Sequence, residues 1–162
     1  IYLVINKVVD LRSSGTFVLS VMLISLGIGF VNFGFNGMIS YMLINLLTGL
    51  TLFGAVFLVS ESVSSPTSRE TKMIYAVVIA VLTMAVRVLG TNPEGIIFAV
   101  LFGNMITPFL NRTVKRSNKR TFITTALVSL GVVVFTGLVL GFILKGRLFD
   151  IYGITALIGG IL

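Results

Sequence analysis

Cysteine and histidine are absent from this 162-residue sequence, and charge is scarce, at 10% of residues. Without a thiolate or an imidazole, the chain cannot itself ligate an iron–sulfur cluster through Cys, a haem through His, or a conventional Zn site. A water-soluble domain carries about 25% charged residues; less than half of that leaves too little polar surface for a soluble fold. Proline is also rare, with three in the whole chain, and two of them stand between residues 92 and 111. What fills the sequence instead is apolar: 56% hydrophobic residues and a mean hydropathy of +1.11. Several runs approach the roughly 20 apolar residues that cross a bilayer as a helix. The expected fold class is therefore all-α, a polytopic transmembrane helix bundle.

The runs divide the chain as follows. Residues 1–9 read as the tail of one helix, and complete spans are expected over 16–35, 39–59, 72–90, 95–111 and 121–144. Residues 151–162 read as the start of a further apolar segment. The sequence opens without Met and on an apolar run, so it is read as an internal fragment of a longer protein. The net charge of +7 comes from basic residues spread among the loops, five of them within 112–120. No soluble domain is available to carry a nucleic-acid face, so the charge is assigned to orientation and not to nucleic acid.

If 112–120 is cytoplasmic, the alternation of spans places loops 7–12 and 60–72 on the same side. Lys7, Arg12, Arg69, Lys72, Arg112, Lys115, Arg116, Lys119 and Arg120 then all lie inside, while loops 34–38 and 90–94 carry no base. That is the asymmetry of a multi-pass cytoplasmic-membrane protein. Lys145 and Arg147 break the pattern, either as a late outside patch or because the last helix is not a simple crossing.

Small residues repeat every fourth position at Gly95, Ala99, Gly103 and Thr107, and again at Gly137 and Gly141. Such faces let helix backbones approach closely. At the mouth of the same segment, Asn92 can cap a helix, Pro93 suits its first position, and Glu94 complements the dipole. Asn104 and Pro108 are less easily placed. Asn104 lies nine residues in, about 14 Å along the helix. Pro108 cannot donate to the carbonyl of Asn104, so one turn presents an amide and an undonated carbonyl together. Thr107 adjoins them and Asn111 continues the face. In hydrocarbon such groups must meet protein, water, an ion or a cofactor. Two readings stand: an interhelical bond, or an ion or polar path through Asn104, Thr107, Pro108 and Asn111.

Arg87, near the end of its span, is read as snorkelling or pairing with Glu94; the alternative is an anionic partner such as a flavin phosphate or a quinone oxygen. The loop "SESVSSPTSRETK" (60–72) has six hydroxyl residues in its first nine positions, Ser64, Ser65 and Thr67 among them. Hydroxyls and backbone N–H groups ahead of a helix can hold an anion or a ring edge, or simply make a polar turn. Asn6, Asn32 and Asn45 are read as helix-bonding or interfacial.

Two stretches carry a family resemblance. "LVSESVSSPTS" (58–68) and "RVLGTNPEGIIFAVLFGNMITPFLN" (87–111) resemble the D subunit of Rnf ion-translocating electron-transport complexes. They are similar also to the homologous B subunit of the sodium-pumping NADH:quinone reductase. The family's Thr-Asp falls on Ser60 and Glu61, its first Pro is replaced by Ser62, and Ser64, Ser65 and Pro66 fit. Its Ile-Arg falls on Val86-Arg87 and its Tyr-Pro-Glu-Gly on Asn92 to Gly95. Phe98 to Leu101, Asn104 and Pro108 to Leu110 also match, while its last acid is Asn111 here. "KVVDLR" (7–12) is similar to a family segment ending Trp-Arg, with Leu11 for Trp.

The resemblance covers roughly 1–115 and implies a membrane flavoprotein subunit that passes electrons and helps drive Na⁺ or H⁺ across the bilayer, among other membrane subunits. It implies FMN bound to a Thr expected upstream of residue 1, with riboflavin, which the homologous quinone reductase subunit also carries, as a candidate second flavin; Ser64, Ser65, Thr67, Arg87 and Glu94 are the candidate cofactor contacts. Residues 121–162 depart from the family and read as an additional helix and segment, comparable to an anchor fused from a neighbouring subunit. Read without the resemblance, the polar crossing at Asn104 and Pro108 also fits a small-solute or ion transporter, or a structural scaffold.

Overall fold

The computed structural model describes residues 11–60, 68–90, 94–113 and 119–159, and every element among them is helical. Helix α1 is assigned over Leu11–Leu47, yet Gly34 inside it has φ 65° and ψ −165°. A side chain on Gly29 would stand 2.8 Å from the Cα of Met38. A straight helix would hold residues nine apart at about 13 Å. The chain therefore reverses at Gly34, and α1 is a helical hairpin with arms 11–33 and 35–47. A positive φ is the reason that position takes glycine. Aromatic rings brace the bend, with Phe30 edge-on to Phe35 at 5.3 Å between centroids and Phe33 against Tyr41 at 5.6 Å. The two arms are the first expected span and the beginning of the second.

The second span does not continue as one helix. After Leu47 the chain turns through Thr48, Gly49 and Leu50, and a short helix α2 (Thr51–Phe53) runs into a π-helical turn over Gly54–Leu58. The Val59 N–H donates to the Gly54 carbonyl at 2.8 Å, closing that wider turn. Ser14 Oγ donates to the Ala55 carbonyl at 2.7 Å, which ties the π turn to the start of α1.

Helix α3 (Arg69–Leu89) is the centre of the bundle. Its buried residues Tyr75, Ala76, Ile79, Ala80, Thr83 and Met84 are at most 1% exposed. Phe17, Val21, Ile24 and Ile28 of α1 complete the core with them. Helix α4 (Gly95–Thr113) lies on α3 through the small face expected of it: Gly95, Ala99, Gly103 and Thr107 are all buried. A side chain at Gly95 would come within 2.7 Å of the Thr83 carbonyl, and one at Gly103 within 2.9 Å of Ile79 Cγ1.

Helix α5 runs unbroken over Lys119–Gly159, 41 residues. The backbone thus passes through Lys145 and Arg147 and joins the apolar segment expected to start at 151 to the span before it. At 1.5 Å per residue the helix is about 60 Å long, about twice the hydrocarbon thickness. It meets the first arm of α1 at the second small-residue pair. A side chain on Gly137 would stand 3.2 Å from the Ile24 carbonyl, and one on Gly141 3.0 Å from Val31 Cβ. Asn32 Nδ2 donates to the Gly141 carbonyl at 3.0 Å and to the Ile28 carbonyl at 2.9 Å, the helix-bonding role read for it.

The outward faces are apolar. Leu101, Phe102, Met105 and Phe109 of α4, and Leu127, Phe135 and Phe142 of α5, are exposed. Among the described residues, three helices are long and apolar enough to cross a bilayer, α4 being a shorter apolar one. In lipid these faces need no covering, since acyl chains are as apolar as Leu.

Candidate functional site at a helix break

A helix that ends leaves its last carbonyls without amide donors. In a spanning segment no water replaces them. The arm 35–47 ends in this way, eleven residues past the Gly34 bend at Asn45. That is about 16 Å of rise from the bend. Gly49 has φ 62° and Leu50 φ 57°, so two successive residues are left-handed. Glycine adopts this freely; for Leu it costs about 1–2 kcal/mol. The Gly54 N–H donating to the Leu50 carbonyl at 2.7 Å then restarts the helix.

The terminal carbonyls are met by Arg87, from the last turn of α3. Its Nη1 donates to the Asn45 carbonyl at 2.6 Å. Its Nη2 lies 2.9 Å from the Thr48 carbonyl, 3.0 Å from the Gly49 carbonyl and 2.6 Å from Thr51 Oγ1. Thr51 is 1% exposed, and its hydroxyl stands 2.8 Å from the Thr48 carbonyl and 3.1 Å from that of Asn45. A guanidinium at the C-terminal end of a helix meets the negative pole of its dipole. Charge-assisted bonds are also about twice as strong as neutral ones. Helical side chains lean towards the helix N-terminus, so Arg87 is directed back along α3 into the bundle. Asn45 Nδ2 donates to the Tyr41 carbonyl at 2.9 Å, within its own arm.

The second polar feature lies on the same helix at another level. Tyr75 Oη donates to Asn104 Oδ1 at 2.6 Å, joining α3 to α4. Thr107 is buried and donates to the Gly103 carbonyl at 3.0 Å. Pro108 stands inside α4 and is exposed, as is Asn111. Of the four path residues, Asn104 thus makes the interhelical bond, and Thr107 faces α3 beside it. Tyr75 and Arg87 are twelve residues apart on α3, about 18 Å of rise, so the amide and the break are separate sites. Among the flavin candidates, Ser64, Ser65 and Thr67 lie outside the described residues, Glu94 is exposed ahead of α4, and Arg87 is turned to the break.

Sequence reasoning passed over the break itself. Its signal was present as the polar run Asn45, Thr48-Gly49 and Thr51 in the middle of an apolar span. Arg147 is a smaller surprise. Its Nη1 donates to the carbonyls of Leu89 at 3.0 Å and Val88 at 3.3 Å, capping α3. It therefore lies at the end of α3 from which loop 90–94 departs, the end that the basic loops leave empty.

Fold and site together define a multi-pass helical membrane protein with one discontinuous span closed by an arginine. Within that class the chain belongs to the NQR2, RnfD, RnfE family, whose model matches residues 1–120. It is similar to the D subunit of the ion-translocating oxidoreductase complex of Psychromonas ingrahamii, 38% identical over 69 residues, which is 43% of this chain and 20% of that one. The protein of the same name from Cellvibrio japonicus is 41% identical over 70 residues, again 43% and 20% of the two chains. That from Vibrio cholerae is 36% identical over 69 residues, with the same coverage. The aligned stretch thus spans a fifth of the length of the curated relatives.

Proposed function

We propose that this chain is part of a membrane subunit of an ion-translocating electron-transport complex, in which electrons passing through flavin drive Na⁺ or H⁺ across the cytoplasmic membrane. The observation that carries the reading is the family match over residues 1–120. The discontinuous span supports it, because unwound backbone at membrane depth is tolerated where it lines a cavity or is held by protein, and often borders an ion or substrate route. Loops 60–72 and 112–120 face the cytoplasm in this proposal, and other membrane subunits cover part of the apolar surface.

FMN, with riboflavin as a second flavin, supplies the one-electron chemistry when bound. Ser64, Ser65, Thr67, Arg87 and Glu94 are its candidate contacts. The described members do not converge on one seat: the terminal nitrogens of Arg87 are engaged by the break. The part proposed for the described residues is to hold the polar crossing, and no electron step is routed through them. Asn104, Thr107, Pro108 and Asn111 remain the candidate residues of an ion path, Asn104 and Thr107 on the inward side of α4 and Pro108 and Asn111 exposed.

The test uses the full protein in its complex. A fluorescent flavin band that survives denaturing electrophoresis, with sodium or proton uptake into inverted vesicles only when an electron donor is supplied, supports the reading. Solute uptake that needs no donor replaces it with a transporter.

A further inference from the structure

The helix break gathers four oxygens around a single positive charge. They are the carbonyls of Asn45, Thr48 and Gly49 and the hydroxyl of Thr51, each 2.6 to 3.0 Å from a guanidinium nitrogen. All four ligands are neutral. Neutral carbonyl and hydroxyl oxygens are hard donors; without a carboxylate among them they suit a monovalent cation better than a divalent one. The hydroxyl donates to the Thr48 and Asn45 carbonyls at 2.8 and 3.1 Å, so three of the four oxygens already stand close together. Unwound carbonyls at the end of a half-helix are a recurrent way of holding a small cation inside a membrane.

We propose that the break is a monovalent-cation site which Arg87 occupies as a tethered cation. A free cation of the sodium class takes the seat when the guanidinium withdraws. The exchange replaces one unit charge by another, so the oxygens are never left idle in hydrocarbon. The withdrawn state is also within reach. Arg87 lies three residues before Gly90, where α3 ends, about 4–5 Å of rise, and an arginine stem is long enough to snorkel that far. The hinge is Gly49-Leu50, whose left-handed pair sets the Thr48 and Gly49 carbonyls towards the seat. The inference deepens the ion-translocating reading by giving it a cation seat. The seat's existence does not depend on turnover, so it is measured without an electron donor.

Radioactive sodium binding is measured by equilibrium dialysis on the purified full-length complex, in choline-balanced buffer. Arg87→Ala is expected to bind about one more Na⁺ per chain than the unmodified complex, the tethered competitor having gone. Arg87→Lys, which keeps a tethered cation, gains none, and Arg87→Ala combined with Thr51→Val loses the gain. An assembled Arg87→Ala complex that binds no more Na⁺ than the unmodified one overturns the proposal. If Arg87→Ala assembles poorly, Na⁺ during expression and solubilisation is expected to raise the assembled yield where choline at equal ionic strength does not. Failure in both media equally overturns it. Donor-driven uptake by the unmodified complex stands or falls separately, so loss of the broader reading is told apart from loss of the seat.

Discussion

Leu50 is held in a conformation that side chains avoid, with φ 57° beside Gly49 at φ 62°. It is 47% exposed, so replacing it removes little packing within the bundle. Leu50→Gly should therefore relieve about 1–2 kcal/mol of backbone strain, offset in part by the added freedom of the unfolded chain, and leave thermal stability in detergent unchanged or slightly raised. Gly49→Ala should do the opposite, lowering stability by about 1–2 kcal/mol. A pair of melting curves decides the matter; equal loss in both variants would mean that the loop does not hold this geometry. A second residue-scale test separates bonding from transport at Asn104. Tyr75→Phe deletes the hydroxyl that donates to Asn104 Oδ1 and keeps the ring in place. It should cost about 1 kcal/mol, the usual value for a hydrogen bond between membrane helices, and leave donor-driven uptake near normal. Asn104→Leu removes the amide as well and should lower uptake while the complex still assembles. Equal uptake in both variants would reduce Asn104 to a packing residue.

At the scale of elements, the helices are held by places where a side chain is missing. Gly137 on α5 faces Gly27 and the Ile24 carbonyl on α1 so closely that an added Cβ would sit 3.2 Å from that oxygen. Gly131 on the same helix has nothing within 4 Å of an added Cβ. Gly137→Val should separate α5 from α1 and cost about 1–3 kcal/mol by overpacking. Gly131→Ala should be neutral, or gain up to about 1 kcal/mol from helix propensity. Unfolding measured with both variants in the same detergent checks the contrast. These contacts were legible in the sequence because a four-residue spacing of small side chains has one physical use at a helix interface. The expected spans 72–90 and 95–111 also match Arg69–Leu89 and Gly95–Thr113 within a few residues, since polar loops and a glycine mark their ends. The interruption at 48–50 was marked only by the polar run Asn45, Thr48-Gly49 and Thr51, which a reading by hydropathy passes over. Leu46, Leu47, Leu50, Leu52 and Phe53 keep the run apolar across it, and hydropathy carries no record of backbone direction. Nor does sequence spacing tell that Arg87 would find carbonyls of a helix some forty residues earlier. Lys145 and Arg147 are expected either as a late outside patch or as the sign of a last helix that is not a simple crossing; the helix in fact continues through both, and the Arg147 guanidinium caps the neighbouring α3.

For the whole molecule, the order of contacts follows from the hairpin. Because the chain reverses at Gly34, the first arm of α1 is left to meet both α3 and α5, and α4 reaches the bundle through α3 and the π turn. At that turn a side chain on Gly54 would run into Ile96. An extended α1 of 37 residues would instead carry the break far from Arg87 and leave its carbonyls idle, so fold and site stand on the same reversal. The absence of cysteine makes this directly testable. A Cβ at Gly141 lies 3.0 Å from Val31 Cβ, about half an ångström shorter than the usual separation in disulfide-bonded pairs, so the helices move apart slightly as the bond closes. The double variant Val31→Cys/Gly141→Cys should close a disulfide under mild oxidation in membranes, with no other thiol within residues 1–162 to compete. After cleavage within the basic stretch 112–120 the two halves should migrate together, and separate on reduction. A control pair, Val31→Cys with Gly131→Cys, is ten residues or about 15 Å away along α5 and should not close. Crosslinking of the control as readily as the first pair would mean that α5 slides along α1. Crosslinking of neither would remove the packing on which the hairpin, and with it the arginine-closed break, is built.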